Sequence, residues 1–504
     1  MTFLPLQIVI GQVNAFDLSK FSITPFDKVK GFMSEIENQV MSKELILEIL
    51  EKLISFDTSI SPSENIFPSN NCAEFLKSWG AKNGFEVLEV KPVFYQRNSV
   101  NELYPVILVK RGVQAGKTVL FLGHLDVVPV SGVEKEKLWR YKPFEMTLQG
   151  DMIYGRGSAD MQGPIASFMA AFSEFKTVKG NLIIALSGDE EIGGMDTMPA
   201  IIQKLKDYNL MPDYVINAEP SSLPIIITKR RGGSWFTLDF PLNPKMMNGE
   251  IKEITINSAT GGNLSETLHS SYFILGADSH AMITSAKYAV DKIIVSVESS
   301  SIKTNSVPFE VKMKYVEYDN AAPKVEYLDG LTKVMTAMAS IGSISWPIIS
   351  SKYGTSVCPN MIKLDHVAGT GQLVIDIRAM LRDDDAHEEL RQTLQDHFSV
   401  NLADVQVNLV AKINPVNVDP NHELPQKLYE ICLKHGMRII DIGEKLGGGS
   451  DTRFFTELGI PGVEIGPIHG NAHGPNEYVL LSSLLQLVDI FREAYTTFSR
   501  PPLI

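Results

Sequence analysis

Cysteine is scarce: Cys72, Cys358 and Cys432 are the only three in 504 residues, widely spaced and odd in number. That excludes a disulfide-stapled scaffold and makes a reducing cytoplasm the expected compartment. No apolar run approaches the roughly 20 residues that a membrane-spanning helix needs, so no membrane partner is expected. The opening "MTFLPLQIVIGQV" has no basic residues ahead of its apolar stretch and no small-residue cleavage site, and makes a poor secretory signal. Lysine and arginine form no dense cluster, and the formal charge is −13. This disfavours nucleic acid and anionic membrane as partners and favours small molecules or peptides.

What is present is an ordinary globular composition, 44% hydrophobic and 21% charged, in a chain long enough for two or more domains. Residues 1–40 show no helical or strand period and read as an N-terminal extension. Residues 41–54, "MSKELILEILEKLI", space apolar side chains as a helix does. From Phe85 onward, β-rich runs ("FEVLEV", "PVILVK", "TVLFLG", "NLIIAL", "DYVINA") alternate with helical stretches ("ASFMAAFSEF", "MPAIIQKLKDY"). Such alternation predicts an α/β fold with a mixed, mostly parallel sheet covered on both faces.

The rhythm changes near residue 228. "SWFTLDFPL", "EITIN", "FEVKMKYVEY" and "QLVIDIRAM" alternate as half-solvated antiparallel strands do, with helices expected near 283–297 and 326–340. The α/β rhythm returns from about 384. The expected organisation is therefore a discontinuous domain, 41–228 and 384–504, interrupted by a smaller α+β domain over 229–383.

Several motifs carry candidate chemistry. "GHLDVVP" places His124 and Asp126 just past an apolar strand, where a carboxylate can take one ring N–H and leave the other nitrogen for a metal. Alone, the pair reads more readily as a solvated polar loop. "GRGSADMQG" sets Asp160 ahead of a small-residue helix; alone, it reads as a helix cap, and it fails a dinucleotide fingerprint because Asp160 stands where glycine is needed. "GVQAGKT" lacks one residue between its glycines for a phosphate-binding loop and reads as a hairpin turn. "SGDEEIGG" puts Glu190 and Glu191 at a strand end, "INAEPSS" puts Glu219 at another, and "GPIHGNAHGPNEYV" carries His469 and His473.

The coincidence is more informative than any one motif. His124, Asp160, Glu190, Glu191, Glu219 and His473 all fall at strand ends or in the loops beyond them, which in α/β sheets converge on one crevice. So many carboxylates in one crevice call for cations. Imidazole and carboxylate donors without cysteine suit a zinc-like ion, and two ions would need a carboxylate bridging them.

Nine motifs in order, "GHLDVVP", "GRGSADMQG", "SGDEEIGG", "EPSS", "GADSHA", "PNMI", "DIR", "GGGSD" and "HGPNEYV", make residues 42–498 resemble the di-zinc aminoacylase and carboxypeptidase family. That family includes acetylornithine deacetylase, succinyl-diaminopimelate desuccinylase and glutamate carboxypeptidase. The resemblance implies two Zn2+ per subunit, with Co2+ or Mn2+ as substitutes. It further implies that His124 and Glu219 hold one ion, Glu191 and His473 the other, and that Asp160 bridges them. Glu190 would be the general base, and Asp126 would orient His124. The inserted domain would be a lid that forms a homodimer, with His280 reaching into the partner's site. Asn360, Arg378 and Gly448 would hold the substrate's carboxylate. Deacylation of an N-acyl amino acid is the expected reaction, with a dipeptidase or carboxypeptidase as the alternative and an inactive binding homologue as a remote one. Retention of every ligand and of the base speaks against that last reading.

Overall fold

The computed structural model describes residues 41–501, except 63–64, 92, 98–99, 131–137, 222, 258–291, 300–309, 319–320, 330–336, 338–355, 366–368, 382–383, 401, 403 and 446–448. His280, Gly448 and the extension 1–40 lie outside the described residues. Two large sheets dominate the rest. The first has nine strands in the order Glu86–Val87, Val106–Arg111, Lys179–Ser187, Gln114–His124, Tyr214–Asn217, Gly462–Glu464, Ile225–Arg230 and Val416–Asn417, with Asp441–Lys445 also pairing to Ile225–Arg230. Its centre is parallel, from Lys179–Ser187 through Gln114–His124 and Tyr214–Asn217 to Gly462–Glu464. Antiparallel pairings flank that centre, so the sheet is mixed.

Strand geometry explains the core directly. Side chains alternate between sheet faces, so Val119 and Phe121 join one apolar cluster while Leu120 and Leu122 join another. Leu182, Ile184 and Leu186 divide from Ile183 and Ala185 in the same way. The first cluster is closed by the helix 41–54 and the helices Gln162–Phe172, Glu423–Lys434 and Leu481–Phe498, where Phe121, Phe168 and Phe491 pack ring on ring. The second is closed by Thr197–Asp207 through Met198, Ile201 and Leu205. Both faces being dry, the polar loops can gather only at the strand ends.

"GVQAGKT" is not a hairpin. Val106–Arg111 and Gln114–His124 are separated by Lys179–Ser187, which pairs with both. The glycines serve close approach instead, since a Cβ on Gly112 would sit 1.8 Å from the Gly180 carbonyl oxygen. A gap of two residues between strands suggests a hairpin locally, but the sheet inserts a later strand there.

The second sheet has eight strands, all antiparallel: Lys324–Asp329, Asn243–Asn257, Glu310–Tyr318, Lys292–Ser299, Ser356–Asp365, Thr370–Ala379, Gly232–Pro241 and Gln406–Ile413. Two differences from the sequence reading concern this region. Lys292–Ser299 and Lys324–Asp329 are strands where they overlap the helices expected near 283–297 and 326–340, because "KIIVSVES" and "KVEYLD" carry β-branched and aromatic residues. The remainder of those two spans lies outside the described residues, apart from Ala337, which is helical. The strand Gln406–Ile413 joins this sheet beside Gly232–Pro241, and the helix Asp384–Ser399 ties to it through Arg391 and Gln395. The second sheet thus extends to residue 413, beyond the expected boundary at 383. Helix-then-strand rhythm reads the same whichever sheet receives the strand. No helix among the described residues is long and apolar enough to cross a membrane.

Candidate metal centre

Each candidate ligand sits where a parallel strand of the first sheet ends, or in a loop packed against that edge. His124 is the last residue of Gln114–His124. Glu190 and Glu191 form a short 3-10 turn after Lys179–Ser187. Glu219 follows Tyr214–Asn217, Asp160 precedes the helix Gln162–Phe172, and His473 lies between the short strands His469–Gly470 and Tyr478–Leu480.

These residues converge on one carboxylate. Asp160 Oδ1 lies 2.9 Å from His124 Nε2 and Asp160 Oδ2 lies 3.0 Å from His473 Nε2. Glu219 Oε2 is 3.9 Å from His124 Nε2, and Glu191 Oε1 is 3.3 Å from His473 Nε2. Donor atoms of His124, Asp160 and Glu219 all fall within 4.8 Å of one another, as do those of Asp160, Glu191 and His473. The two triads share Asp160, one oxygen toward each histidine.

The ring of His124 is fixed from behind. Its Nδ1 is 2.9 Å from the backbone carbonyl of Asp126, which can only accept, so Nδ1 carries the proton and Nε2 faces the cluster. The sequence reading gave this task to the Asp126 carboxylate, which stands 3.7 Å from Nδ1, beyond hydrogen-bond reach. That carboxylate accepts instead from the backbone N–H groups of Glu190 (3.1 Å) and Glu191 (2.9 Å). Asp126 therefore aligns the histidine with its main chain and the two glutamates with its side chain.

The electrostatics are those of a site short of positive charge. Burial acts to raise Asp160, but its two histidine partners hold it well below the usual range. Burial pushes Glu219 up to about 8, with Asp160 adding to it, and drives Glu190 well above the ordinary carboxyl range, with Glu219 adding. Burial opposes charge on both imidazoles, yet Asp160 lifts His124 and Glu191 with Asp160 lifts His473, each well above the usual value. Glu191 Oε1 and Glu219 Oε2 are buried without a hydrogen-bond partner. One unsatisfied carboxylate oxygen in each triad, beside an imidazole Nε2, fits a pair of divalent cations with N and O ligands.

Residues without a place in the sequence reading support the ligands. Arg230 donates to Glu464 and lies 3.6 Å from Glu219 Oε1, and Ser450 bonds the other Glu464 oxygen. Asp451 accepts from Ser187 Oγ (2.6 Å), and its Oδ1 would lie 2.2 Å from a Cβ on Gly194, whose φ is +64°. Only glycine fits there. The buried Glu477 accepts from the amides of Gly157, Ala159 and Asp160 and from Arg156. The motifs "SGDEEIGG", "GGGSD", "GRGSADMQG" and "HGPNEYV" contain most of them, but nothing in spacing separates a ligand from its support.

The expected carboxylate-binding residues lie in the second sheet. Arg378 is in Thr370–Ala379, with its fork on Asp376 (2.8 and 2.9 Å) and its guanidinium 4.8 Å from the Trp235 ring centroid. Asn360 is in Ser356–Asp365, at a register shift between Pro359 and Met361.

The fold and the donor set together define a metal-dependent hydrolase. Residues 120–497 match peptidase family M20/M25/M40, and the chain belongs to that family; the resemblance seen in the motifs is borne out. It is a metallohydrolase acting on amide bonds. Among curated proteins, it is 24% identical to a succinyl-diaminopimelate desuccinylase of Nautilia profundicola over 89% of this chain and 98% of the relative. A second protein of that name, from Sulfurovum sp., is 23% identical over 90% and 99%. Among solved structures, the dipeptidase Dug1p of Saccharomyces cerevisiae has a TM-score of 0.60 at 15% identity, covering 93% of this chain and 98% of that one. Human carnosine dipeptidase 1 has a TM-score of 0.57 at 16% identity, covering 91% and 98%. These likenesses show the fold.

Proposed function

We propose that the chain hydrolyses the amide of an N-acyl amino acid at a two-zinc centre, in the manner implied by the name of its desuccinylase relatives. The observation that carries the reading is the single carboxylate of Asp160, which reaches both histidines with one further glutamate beside each. His124, Asp160 and Glu219 would hold one ion, and Asp160, Glu191 and His473 the other, with Co2+ or Mn2+ as substitutes. Bound there, the cations would polarise the amide carbonyl and make water more acidic.

Glu190 is then the proton carrier. Its main chain is anchored by Asp126 beside the ligand Glu191, and burial among carboxylates raises its proton affinity. It takes a proton from the attacking water and passes it to the leaving nitrogen, so that one carboxyl serves as base and then as acid. Asp126 keeps base and ligand in fixed relation, because both amides bond to the same carboxylate. Arg378 and Asn360 are proposed to hold the substrate's carboxylate together with Gly448, and the second domain to pair two subunits so that His280 reaches the partner's site. For Arg378 this means exchanging Asp376 for the substrate carboxylate, which its planar fork suits.

A second reading, cleavage of a dipeptide, draws on the shared fold of the two dipeptidases. Steady-state hydrolysis of N-succinyl and N-acetyl amino acids and of dipeptides by zinc-loaded protein separates the two. The highest kcat/KM on an N-acyl amino acid is expected; a clear preference for dipeptides would select the second reading.

A further inference from the structure

Arg156 and Glu477 form an ion pair at 2.6 Å with both side chains 1% exposed. Isolated buried ion pairs contribute little net stability, because desolvation offsets their attraction, and apolar replacements of the same volume often do as well. What distinguishes this pair is where its remaining hydrogen bonds go. Glu477 Oε1 accepts from the amides of Ala159 (2.9 Å) and Asp160 (3.1 Å), and Oε2 from Gly157 (3.1 Å). Arg156 Nη2 donates to the carbonyl of His473 (3.1 Å) and Nη1 to that of Gly474 (3.3 Å). One partner thus grips the main chain of Asp160 and the other grips the main chain of His473.

The loops so gripped need an external hold. His473 has φ +65°, in the left-handed region where a residue with a Cβ is disfavoured. The loops spring from strands that pair antiparallel, Met152–Tyr154 with Tyr478–Leu480, but the pairing stops at Tyr154 opposite Tyr478. Beyond it, one main-chain bond from the Gly155 N–H to the Glu477 carbonyl (3.1 Å) and then the ion pair join the two segments, with the Arg156 guanidinium 5.3 Å from the buried Trp139 ring centroid.

We infer that Arg156 and Glu477 are positioning residues that set the spacing of Asp160 and His473, and through it the affinity of the ion that Asp160, Glu191 and His473 would hold. This rests on the two-ion reading above. Groups that orient metal ligands from behind typically change affinity about 10- to 100-fold when removed. Arg156→Lys keeps a cation for Glu477 but cannot fork to both carbonyls. It is expected to weaken one of two zinc ions by about 10- to 100-fold and leave the other near wild type.

The test is calorimetric titration of zinc into metal-free, full-length wild type and Arg156→Lys, with circular dichroism and melting of the metal-free proteins alongside. Excess zinc should restore kcat with KM unchanged. A folded Arg156→Lys protein with both affinities as in wild type, or with both weakened equally, overturns the inference. If Arg156→Lys does not fold, the double variant Arg156→Met, Glu477→Met removes both buried charges together and should show weakened zinc binding; wild-type binding there overturns the inference as well. Failure of the wild type itself to take two ions per chain overturns the two-ion reading instead.

Discussion

His124 and His473 address the same carboxylate from opposite sides, and they are held by different kinds of structure. His124 ends a central strand of the first sheet, its side chain is 2% exposed, and the carbonyl of Asp126 two residues on fixes its ring. His473 sits in a loop with its side chain 37% exposed and its carbonyl tied to a residue 317 positions away. One half of the centre follows from building the sheet. The other depends on bonds between distant loops. The carboxyls differ correspondingly: burial raises Glu219 to about 8, whereas for Glu191 burial is outweighed by the charge and hydrogen bond of His473 together with the charge of His124, and the carboxyl is lowered.

The largest expected effect falls on the proposed base, which belongs to neither triad. Glu190→Gln should cut turnover by about 10^2- to 10^4-fold, the usual worth of a positioned base, with two ions still bound by elemental analysis. Loss of an ion would instead exchange the roles of Glu190 and Glu191. Next come the histidines. His124→Ala and His473→Ala should each lose one ion, but in metal-free protein His124→Ala should cost about 1–3 kcal/mol, because it strands buried acceptors, and His473→Ala less. Equal costs in denaturant titrations would erase the contrast between a prebuilt and a loop-held half.

The smallest effect is one of pH. Glu219 is raised to about 8, and Asp126, Asp189 and Asp451 to about 6, chiefly by burial. In the unfolded chain these carboxyls have shed their protons by about pH 5. Folding of the metal-free protein therefore takes up protons, and its stability falls as pH rises from about 4 through 8. Its melting temperature should drop by a few degrees between pH 5 and 8, and bound zinc should offset the drop. A rise over that interval would show that the cluster folds with its carboxylates charged.

Much of the first sheet was legible because its strands are short apolar runs with both faces buried, as in "TVLFLG" and "NLIIAL", each followed by a polar turn. The residues brought to the cluster were legible because the strands end where the motifs begin. The role of Asp126 was half legible: its position beside His124 was evident, but whether main chain or side chain meets the ring depends on a turn that no spacing encodes. Arg156 and Glu477 stood inside quoted motifs without a role, since only the pairing of Met152–Tyr154 with Tyr478–Leu480 brings them together. The reach of the second sheet to Ile413 was hidden because pairing partners are chosen in three dimensions.

The strand Gly462–Glu464 lies between Tyr214–Asn217 and Ile225–Arg230, two strands that are near neighbours in sequence. On a ribosome those two emerge some 230 residues before the strand that joins them. Until then both present unpaired edges, a state prone to associate with other chains. The enzyme is therefore expected to depend on shielding of that gap during synthesis, and a product truncated before residue 462 should aggregate rather than persist as a partial enzyme. Because His473 arrives later still, hydrolytic power is withheld until the sheet has closed.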